Sequence, residues 1–331
     1  MFNSFYLILA INILFFLFFQ KIQNKLNIFD KPNLKRKIHT NSTSSAGGIL
    51  FTLCLLVYFT SVFFGIDKNF LSYRENFSII IFIIFFFIMG IYDDKFHVQP
   101  YTRLFFSIFF ILILLLLNNN FIIKELRFSF LNYIVLPQNF EILFTVICAL
   151  LFINACNMFD GINLQFGLYI FLLSIIFYSK NLLPDLQITI IICCLFFLYF
   201  NFNKKLFIGN NGTLVIGALF SVLFIKFYNF ENSLLFADEI FLYMSVPGFD
   251  LVRVSFARLI NGKNIFEADK NHIHHLLHQK FNFLSSTILV QIIIIIPILY
   301  AFFTKQYIYA IFISLGMYVA LIFYAKKIIK S

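Results

Sequence analysis

Long apolar runs, separated by short polar loops, constrain this chain more than any other feature. Hydrophobic residues make up 61% of the 331 residues and charged residues only 12%, whereas a soluble domain carries roughly 25% charged residues. Too few charges remain to cover a water-facing surface, which excludes a secreted, disordered or nucleic-acid-binding protein. In a bilayer every backbone polar group must be bonded internally, so we expect the runs to be helices.

Eleven apolar segments recur along the whole chain, and about 20 helical residues span the hydrocarbon core of a membrane. We therefore predict an all-α, polytopic integral membrane protein with about eleven transmembrane helices, forming a single transmembrane domain over residues 1–331. The segments lie at about 2–20, 47–65, 77–92, 104–117, 140–156, 166–179, 186–200, 213–228, 234–249, 284–303 and 307–325.

The basic residues predict the orientation of these helices, because Lys and Arg accumulate in cytoplasmic loops. With an external N-terminus, the inward-facing segments hold 18 of the 25 Lys and Arg residues. The net charge of +10 is thus explained by topology, without a nucleic-acid partner. We predict an external N-terminus and a cytoplasmic C-terminus.

Titratable residues gather on the same predicted face. All six histidines fall in the inward loops, together with five aspartates besides Asp30. No ionisable residue stands in the middle of a helix with an evident partner, which weakens a transporter interpretation. The pattern favours a site on the cytoplasmic face over a channel through the membrane. The aspartates are Asp93, Asp94, Asp160, Asp250 and Asp269.

The first two inward loops each allow two interpretations. Lys37, His39 and the Gly47-Gly48 pair either anchor the chain to the inner leaflet or form a phosphate-binding strip at a helix N-terminus. The Asp93-Asp94 pair is either a solvated helix end or a site for Mg²⁺ or a general base. Arg103, in the same loop, could hold a phosphate oxygen.

The third and fourth loops are rich in amides. Polar residues at three-residue steps from 154 to 163 form one stripe on a helix, and such groups are costly at a lipid boundary unless they meet a ligand. In the fourth loop, Gly209 and Gly212 bracket two asparagines; they permit either close approach to a phosphate or a tight turn. Phe207 could stack on a base. The stripe consists of Asn154, Asn157, Asp160 and Asn163.

The fifth loop contains Arg258 and the histidine group His272, His274 and His275. A zinc site is one interpretation, although no cysteine lies nearby to complete it. Histidines beside Arg and Lys more readily form a donor-rich pocket for a diphosphate.

Taken in order, these loops resemble the polyprenyl-phosphate N-acetylhexosamine-1-phosphate transferases, glycosyltransferase family 4. The resemblance covers residues 30–278. It rests on the Asp-Lys-Pro-Asn entry with Gly-Gly, the Asp-Asp pair, the Asn-x-x-Asn-x-x-Asp-Gly-Ile stripe and the terminal His-Ile-His-His. The last motif is similar to the branch that uses simple UDP-amino sugars, such as undecaprenyl-phosphate N-acetylglucosamine-1-phosphate transferase, rather than phospho-N-acetylmuramoyl-pentapeptide transferase.

The resemblance implies a transferase in the cell inner membrane, with its active site facing the cytoplasm. It implies that polyprenyl phosphate and a UDP-N-acetylhexosamine are the substrates and that membrane lipid surrounds the protein. It also implies that Mg²⁺, or Mn²⁺ in its place, is the cofactor. UMP would leave, and the product would begin a cell-envelope polysaccharide. It selects neither one acetamido sugar nor an oligomeric state.

The resemblance also implies roles for individual residues. The implied catalytic residues are Asp93, Asp94, Asp160, His274 and His275. The implied substrate-binding residues are Lys37, His39, Gly47, Gly48, Arg103, Asn154, Asn157, Asn163, Phe207, Arg258 and His272. The implied metal ligands are Asp93, Asp94, Asn157 and Asn210.

One departure from the family pattern motivates a rival hypothesis. The fourth loop of the family reads Gly-Asp-x-Gly-Ser, with the Asp as the principal Mg²⁺ ligand, whereas this chain carries Asn210 at that place. An amide oxygen coordinates Mg²⁺ without adding negative charge, so the affinity should fall. The rival is a family member that binds polyprenyl phosphate or UDP-sugar without turnover.

Overall fold

The computed structural model describes residues 4–26, 29–30, 43–230, 235–264 and 271–330. It is mostly helical, at 78%. The helices are α1 (Ser4–Leu17), α2 (Phe19–Leu26), α3 (Gly47–Phe63), α4 (Tyr73–Phe96), α5 (Pro100–Leu117), α6 (Gln138–Phe159), α7 (Gln165–Ser179), α8 (Pro184–Phe202), α9 (Gly209–Tyr228), α10 (Ala237–Ile260), α11 (Ile273–His278), α12 (Phe283–Thr304) and α13 (Tyr307–Lys330). The strands are β1 (Phe29–Asp30), β2 (Thr43–Ser44), β3 (Glu125–Phe128) and β4 (Leu131–Val135).

Each of the eleven predicted apolar segments overlaps one of these helices. Among the described residues, eight helices are long and apolar enough to cross a membrane, and α1 with α2 adds a ninth if this pair, bent by 82°, counts as one span. Helices α3 and α7 are apolar but shorter. The fold is that of a polytopic membrane protein, while the count of eleven crossings and the orientation of the termini stay predictions.

Two short pairs of strands depart from the all-α expectation. Strand β1 pairs with β2, and β3 with β4, both antiparallel. The second pair lies in the polar stretch between α5 and α6, where Tyr133, Ile134 and Val135 favour an extended chain. Helices α2 and α11 were not predicted either, because neither is apolar enough or long enough to stand out.

Several helices extend beyond the apolar runs from which they were predicted. Helix α4 begins at Tyr73 because Ser72 and Glu75 form a capping box, in which each side chain accepts the other residue's backbone N–H. Helix α10 runs on to Ile260, well past the predicted end at 249. Consequently the Asp93-Asp94 pair, which was predicted to lie in a loop, lies in the last turn of α4. Asp250, also predicted to lie in a loop, lies inside α10.

Helix α9 forms the centre of the bundle. In its 18-residue apolar stretch, 94% of the residues are buried, and the helix packs against α3, α4 and α6. Glycines allow this close packing near its N-terminus. A Cβ atom added at Gly90 of α4 would lie 2.4 Å from Asn211 Cα, and one added at Gly48 of α3 would lie 2.2 Å from Gly212 N.

A buried ion pair joins α4 and α9 at the opposite end of the bundle. Lys226 Nζ lies 2.5 Å from Glu75 Oε1, and the Asn120 side chain donates to the same oxygen at 3.0 Å. Glu75 therefore has two roles, since it also caps α4. A buried charge is stable only when it is paired and hydrogen-bonded, as here.

We expect Gly90→Ala to destabilise the protein by roughly 1–3 kcal/mol, the usual effect of overpacking a core. The added methyl would meet the backbone of α9, which cannot move aside as a flexible side chain would. Thermal unfolding in detergent measures the effect.

Gly316→Ala is the matched control, because a Cβ atom at Gly316 of α13 meets nothing within 4 Å. In a helix interior, Ala is more favourable than Gly by roughly 0.5–1 kcal/mol. An unfolding temperature that is equal for both variants would contradict the tight α4–α9 contact.

Candidate active site

The candidate site lies at the end of the bundle where α4, α6 and α8 end and α3, α7 and α9 begin. The loops predicted to face inward meet there through direct contacts: Asp94 with Asn210, Thr213 with Asn157 and Asn163 with Asn201. The loops predicted to face outward meet at the other end, as Asn120 and Asn229 do.

Asp94 binds the N-terminus of α9. Its carboxylate accepts the backbone N–H of Asn210 at 2.8 Å and that of Asn211 at 3.0 Å. The Asn211 side chain donates to the same carboxylate and to the Ser45 carbonyl, the latter at 2.9 Å. The first N–H groups of a helix lack partners within it and carry partial positive charge. Asp94 satisfies them and joins α4 to α9.

Gly209 makes this approach feasible. It adopts a left-handed backbone conformation with φ of +71°, and an added Cβ atom would lie 2.8 Å from the Asp94 Oδ2 atom. A side chain at this position would therefore be strained and would collide with the carboxylate. The glycine in the fourth-loop motif is thus required by the Asp94 contact.

Asp93 points away from Asp94 and holds the following loop. It is only 4% exposed, and its carboxylate accepts the Val98 N–H at 2.9 Å and the Arg103 Nη1 at 3.1 Å. The residue predicted to be catalytic and the arginine predicted to bind phosphate are therefore paired with each other. A substrate phosphate would compete with Asp93 for this guanidinium.

The amides at the end of α6 have different hydrogen-bond partners. Thr213 Oγ1 donates to Asn157 Oδ1 at 2.7 Å, which places Asn157 against the first turn of α9. Asn154 donates instead to the Leu150 carbonyl of its own helix at 2.8 Å. Asn157 therefore lies at the α6–α9 junction, where Asn210 also lies, while Asn154 bonds one turn back.

Asn163 anchors the loop that follows α6. Its Nδ2 donates to the Asn201 carbonyl at 2.7 Å, and its own carbonyl accepts the Thr287 hydroxyl at 3.0 Å. The Asn201 Oδ1 atom in turn accepts the N–H of Leu164, where the backbone is left-handed with φ of 69°. This network links the ends of α8 and α12 to the loop, so Asn163 is well placed to hold the loop's shape.

The histidine group packs against the other side of the same loop. An added Cβ atom at Gly161 would lie 1.8 Å from His274 Nε2, so only glycine admits this imidazole beside Asp160. The His272 and His274 rings are parallel, with centroids 5.7 Å apart. The His275 ring follows at 4.4 Å from His274. The Asp-Gly-Ile motif and the His-Ile-His-His motif therefore meet directly.

His274 is fully buried, yet neither of its ring nitrogens has a hydrogen-bond partner among the described residues. Burial, reinforced by the neighbouring His275, holds the pKa of His274 well below its ordinary value of 6.5. The ring is therefore neutral. A buried polar group without a partner costs about 1–3 kcal/mol.

The two glycines that open α3 are already engaged. The Gly47 N–H donates to the Phe207 carbonyl at 3.0 Å, and the Gly48 N–H donates to the Ile208 carbonyl at 2.9 Å. Both predicted phosphate donors therefore hold the fourth loop in place, and neither N–H points at an open site. Phe207 is partly buried, and Arg258 is buried near the end of α10. Lys37 and His39 lie outside the described residues.

Hydrogen bonds already engage the side chains of three of the four predicted metal ligands. Both Asp93 and Asp94 hold N–H donors, and Asn157 accepts a hydroxyl. In the described part of the chain, no group of three or more His, Cys, Asp or Glu side chains is arranged to hold a metal ion. An ion here would therefore depend on amide oxygens and on its substrate.

Sequence reasoning assigned no individual role to four residues of this region. Asn211 and Thr213 stand in the quoted fourth loop, and their place in the first turn of a helix was the available signal. Asp250, three residues before Arg253, offered the spacing of a helical ion pair. Tyr318 gave no signal, since it is one of 16 tyrosines and lies far along the chain in α13.

The buried His274 predicts a pH dependence. The unfolded chain binds a proton near pH 6.5 and the folded chain does not, so the free energy of unfolding falls as the pH drops below about 6.5. When the pH is lowered from 7.5 to 5.5, we expect the free energy of unfolding of the wild type to fall by about 1 kcal/mol more than that of His274→Asn. Thermal unfolding in detergent across this range measures it.

His97→Asn is the control, because His97 is exposed at the end of α4 and Asn tolerates its left-handed backbone. It should keep the wild-type pH dependence. Equal slopes for wild type and His274→Asn would show that His274 is protonated in the folded protein.

Comparisons with known proteins agree with this arrangement. A family model described as "Glycosyl transferase family 4" matches residues 76–228, the segment that contains Asp93, Asp94, Asn157 and Asn210. The chain is 27% identical over 278 residues to a probable undecaprenyl-phosphate N-acetylglucosaminyl 1-phosphate transferase of Bacillus subtilis, covering 78% of this chain and 72% of that protein.

Two further relatives carry the name undecaprenyl-phosphate alpha-N-acetylglucosaminyl 1-phosphate transferase. The one from Thermotoga maritima is 26% identical over 257 residues, covering 77% of this chain and 75% of that protein. The one from Escherichia coli O157:H7 is 25% identical over 284 residues, covering 80% and 72% respectively. The family match and these relatives together show that the chain is similar to glycosyl transferase family 4 and to its undecaprenyl-phosphate transferases.

Proposed function

We propose that this protein transfers an N-acetylhexosamine 1-phosphate group from a UDP-sugar to polyprenyl phosphate, with release of UMP. One observation carries the proposal: motifs far apart in sequence meet at one end of the bundle, where Asp94 binds the start of α9 and His274 lies against Gly161. The relatives named as undecaprenyl-phosphate transferases support the lipid phosphate as acceptor.

In the proposed reaction, an oxygen of the polyprenyl phosphate attacks the β-phosphorus of the UDP-sugar. The bond between that phosphorus and the bridging oxygen of the diphosphate breaks, and UMP leaves with the oxygen. One phosphoanhydride forms as another breaks, so no further energy source is required. A phosphate monoester has a second pKa of about 6 and is largely ionised at neutral pH. A strong general base is therefore unnecessary.

The main task of the site is electrostatic, because both substrates are anions. Arg103, already beside Asp93, would meet a phosphate oxygen. His274, neutral and without a hydrogen-bond partner in the described part of the chain, offers one donor and one acceptor to the substrate. Asn157 and Asn210 present amides at the junction of α6 and α9. Fixed donors of this kind stabilise developing charge without reorganising during the reaction.

Magnesium is part of the proposal. Mg²⁺ takes oxygen ligands and is usually held by one or two carboxylates together with substrate phosphates, and the oxygens of Asp93, Asp94, Asn157 and Asn210 are of that kind. A carboxylate offers about four lone-pair sites, so Asp94 retains room for an ion beside its N–H donors. When bound, the ion would reduce the repulsion between the two anionic substrates. Mn²⁺ would substitute.

The site would face the cytoplasm, from a cell inner membrane. The inward assignment rests on the 18 of 25 basic residues that fall in the segments predicted to face inward. UDP-sugars are cytoplasmic metabolites, and the lipid acceptor would reach the same end from the inner leaflet. The product would then begin the synthesis of a cell-envelope polysaccharide.

Asn210 favours a second candidate function, binding without turnover. A carboxylate at 210 would add the charge that the family uses for Mg²⁺, but it would also lie beside Asp94 at the same helix N-terminus. The amide avoids this repulsion between like charges at the expense of metal affinity. The two functions differ in whether UMP is released.

The proposed reaction is tested in purified membranes supplied with undecaprenyl phosphate, Mg²⁺ and a panel of radiolabelled UDP-N-acetylhexosamines. We expect lipid-extractable label and an equal amount of UMP with at least one donor, both dependent on the added undecaprenyl phosphate. Saturable binding of the UDP-sugar with neither product, for every donor tested, would establish the rival function and refute the transfer.

Asn210→Asp tests the placement of the metal. If Mg²⁺ binds beside residue 210, the added negative charge should lower the Mg²⁺ concentration for half-maximal transfer by about tenfold, or about 1.4 kcal/mol. A Mg²⁺ titration of the transfer rate measures this change.

Asn203→Asp is the control for this variant. Asn203 is exposed just after α8, so the substitution adds the same charge at the same end of the bundle without reaching the α9 N-terminus. It should leave the Mg²⁺ titration as in the wild type. An identical shift in both variants would mean that the added charge attracts cations in general, and it would contradict the placement of Mg²⁺ beside residue 210.

A further inference from the structure

The buried carboxylate of Asp250 in α10 holds the histidine group in position. It is 2% exposed and receives four donors from three parts of the chain. These are His272 Nδ1 at 2.7 Å, the Ile273 N–H at 3.1 Å, Arg253 Nη2 at 2.7 Å and the Tyr318 hydroxyl at 2.9 Å.

Three of these donors, the Ile273 N–H, Arg253 Nη2 and the Tyr318 hydroxyl, converge on Oδ1 and mark Asp250 as an ionised, acceptor-only group. His272 Nδ1 bonds to the other oxygen, Oδ2. Its bond to His272 therefore fixes the proton on Nδ1, whether the imidazole is neutral or charged. The Nε2 atom is then the one that His272 can present elsewhere. A carboxylate behind a functional histidine commonly sets the ring's orientation and tautomer in this way.

Tyr318 is the member of this network that comes from α13, and it is only 3% exposed. Its hydroxyl accepts a bond from Arg253 Nε at 2.6 Å and donates to Asp250 Oδ1 at 2.9 Å. A buried phenol hydroxyl is costly unless it is bonded. Replacing the hydroxyl with hydrogen would leave the Arg253 Nε–H without an acceptor and Asp250 with one donor fewer.

The network reaches the site through the stacked histidines. The His272 ring lies parallel to the His274 ring, at 4°, and His274 Nε2 abuts the Cα of Gly161. A rotation of His272 would therefore push His274 against the end of α6. The Ile273 N–H bond to Asp250 holds the backbone between the two rings.

We propose that Tyr318 is a positioning residue for the histidine group: with Asp250 and Arg253, it holds His272 in its Nδ1–H form and sets the distance of His274 from the end of α6. Residue 318 lies beyond the matched family segment, which ends at 228. The consequence for catalysis rests on the proposed transfer reaction, whereas the tautomer of His272 does not.

The experiment compares Tyr318→Phe with Tyr309→Phe, a control on the same helix whose side chain is 59% exposed. In Tyr318→Phe, we expect kcat for transfer to fall by roughly ten- to a hundredfold, the usual effect of removing an outer-shell partner of a functional histidine. KM for the UDP-sugar should change less than about twofold, since the loss concerns the transition state. Tyr309→Phe should match the wild type.

A second readout does not depend on turnover. In protein labelled with ¹⁵N-histidine, the His272 signals, assigned from their loss in His272→Asn, should report an Nδ1–H imidazole in the wild type. In Tyr318→Phe they should move towards a mixture of tautomers. If the wild type shows no transfer at all, the proposed reaction fails while this spectrum still decides the role of Tyr318.

Wild-type kcat together with an unchanged His272 spectrum in Tyr318→Phe would overturn the proposal. A loss of kcat with an unchanged spectrum would overturn it as well, since the effect would then be general destabilisation. If Tyr318→Phe does not fold, Arg253→Lys provides the test, because it keeps the charge but removes the Nε donor to Tyr318. It should shift the same signals, and an unchanged spectrum would refute the network.

Discussion

The bond between the Asp94 carboxylate and the N-terminus of α9 is the constraint on which the rest of the site depends. In lipid, unpaired backbone N–H groups are prohibitively costly, and α9 is the most enclosed helix of the bundle. Asp94 satisfies the first of these groups from a neighbouring helix. The same contact requires Gly209 at its left-handed turn and places Asn210 and Thr213 opposite the end of α6.

The general architecture could be predicted from the sequence because lipid imposes a simple rule. All eleven apolar segments overlap helices, and the family resemblance drawn from the loop motifs is confirmed. The ends of the helices were harder to predict, since polar residues such as Asp93 and Asp250 continue helices beyond the hydrocarbon. Hydropathy marks where a membrane ends and does not mark where a helix does.

The motif loops that the sequence placed on one face meet in the structure, while the roles assigned to individual residues stay predictions. Gly47, Gly48, Asp93 and Asn163 all lie near the site, yet their visible bonds are to other parts of the protein. A motif records which residue types are needed at a position, whereas partners far along the chain, such as Tyr318 for Asp250, depend on tertiary packing that no spacing rule describes.

The ion pair between Glu75 and Lys226 has a consequence for how the protein moves. Helices α4 and α9 are fastened at both ends, by this pair on one side and by Asp94 on the other, and glycine contacts close the space between them. This pair of helices therefore has little freedom to tilt. Any opening between helices therefore falls to the other half of the bundle, where the histidine segment is held by its bonds to Asp250 of α10.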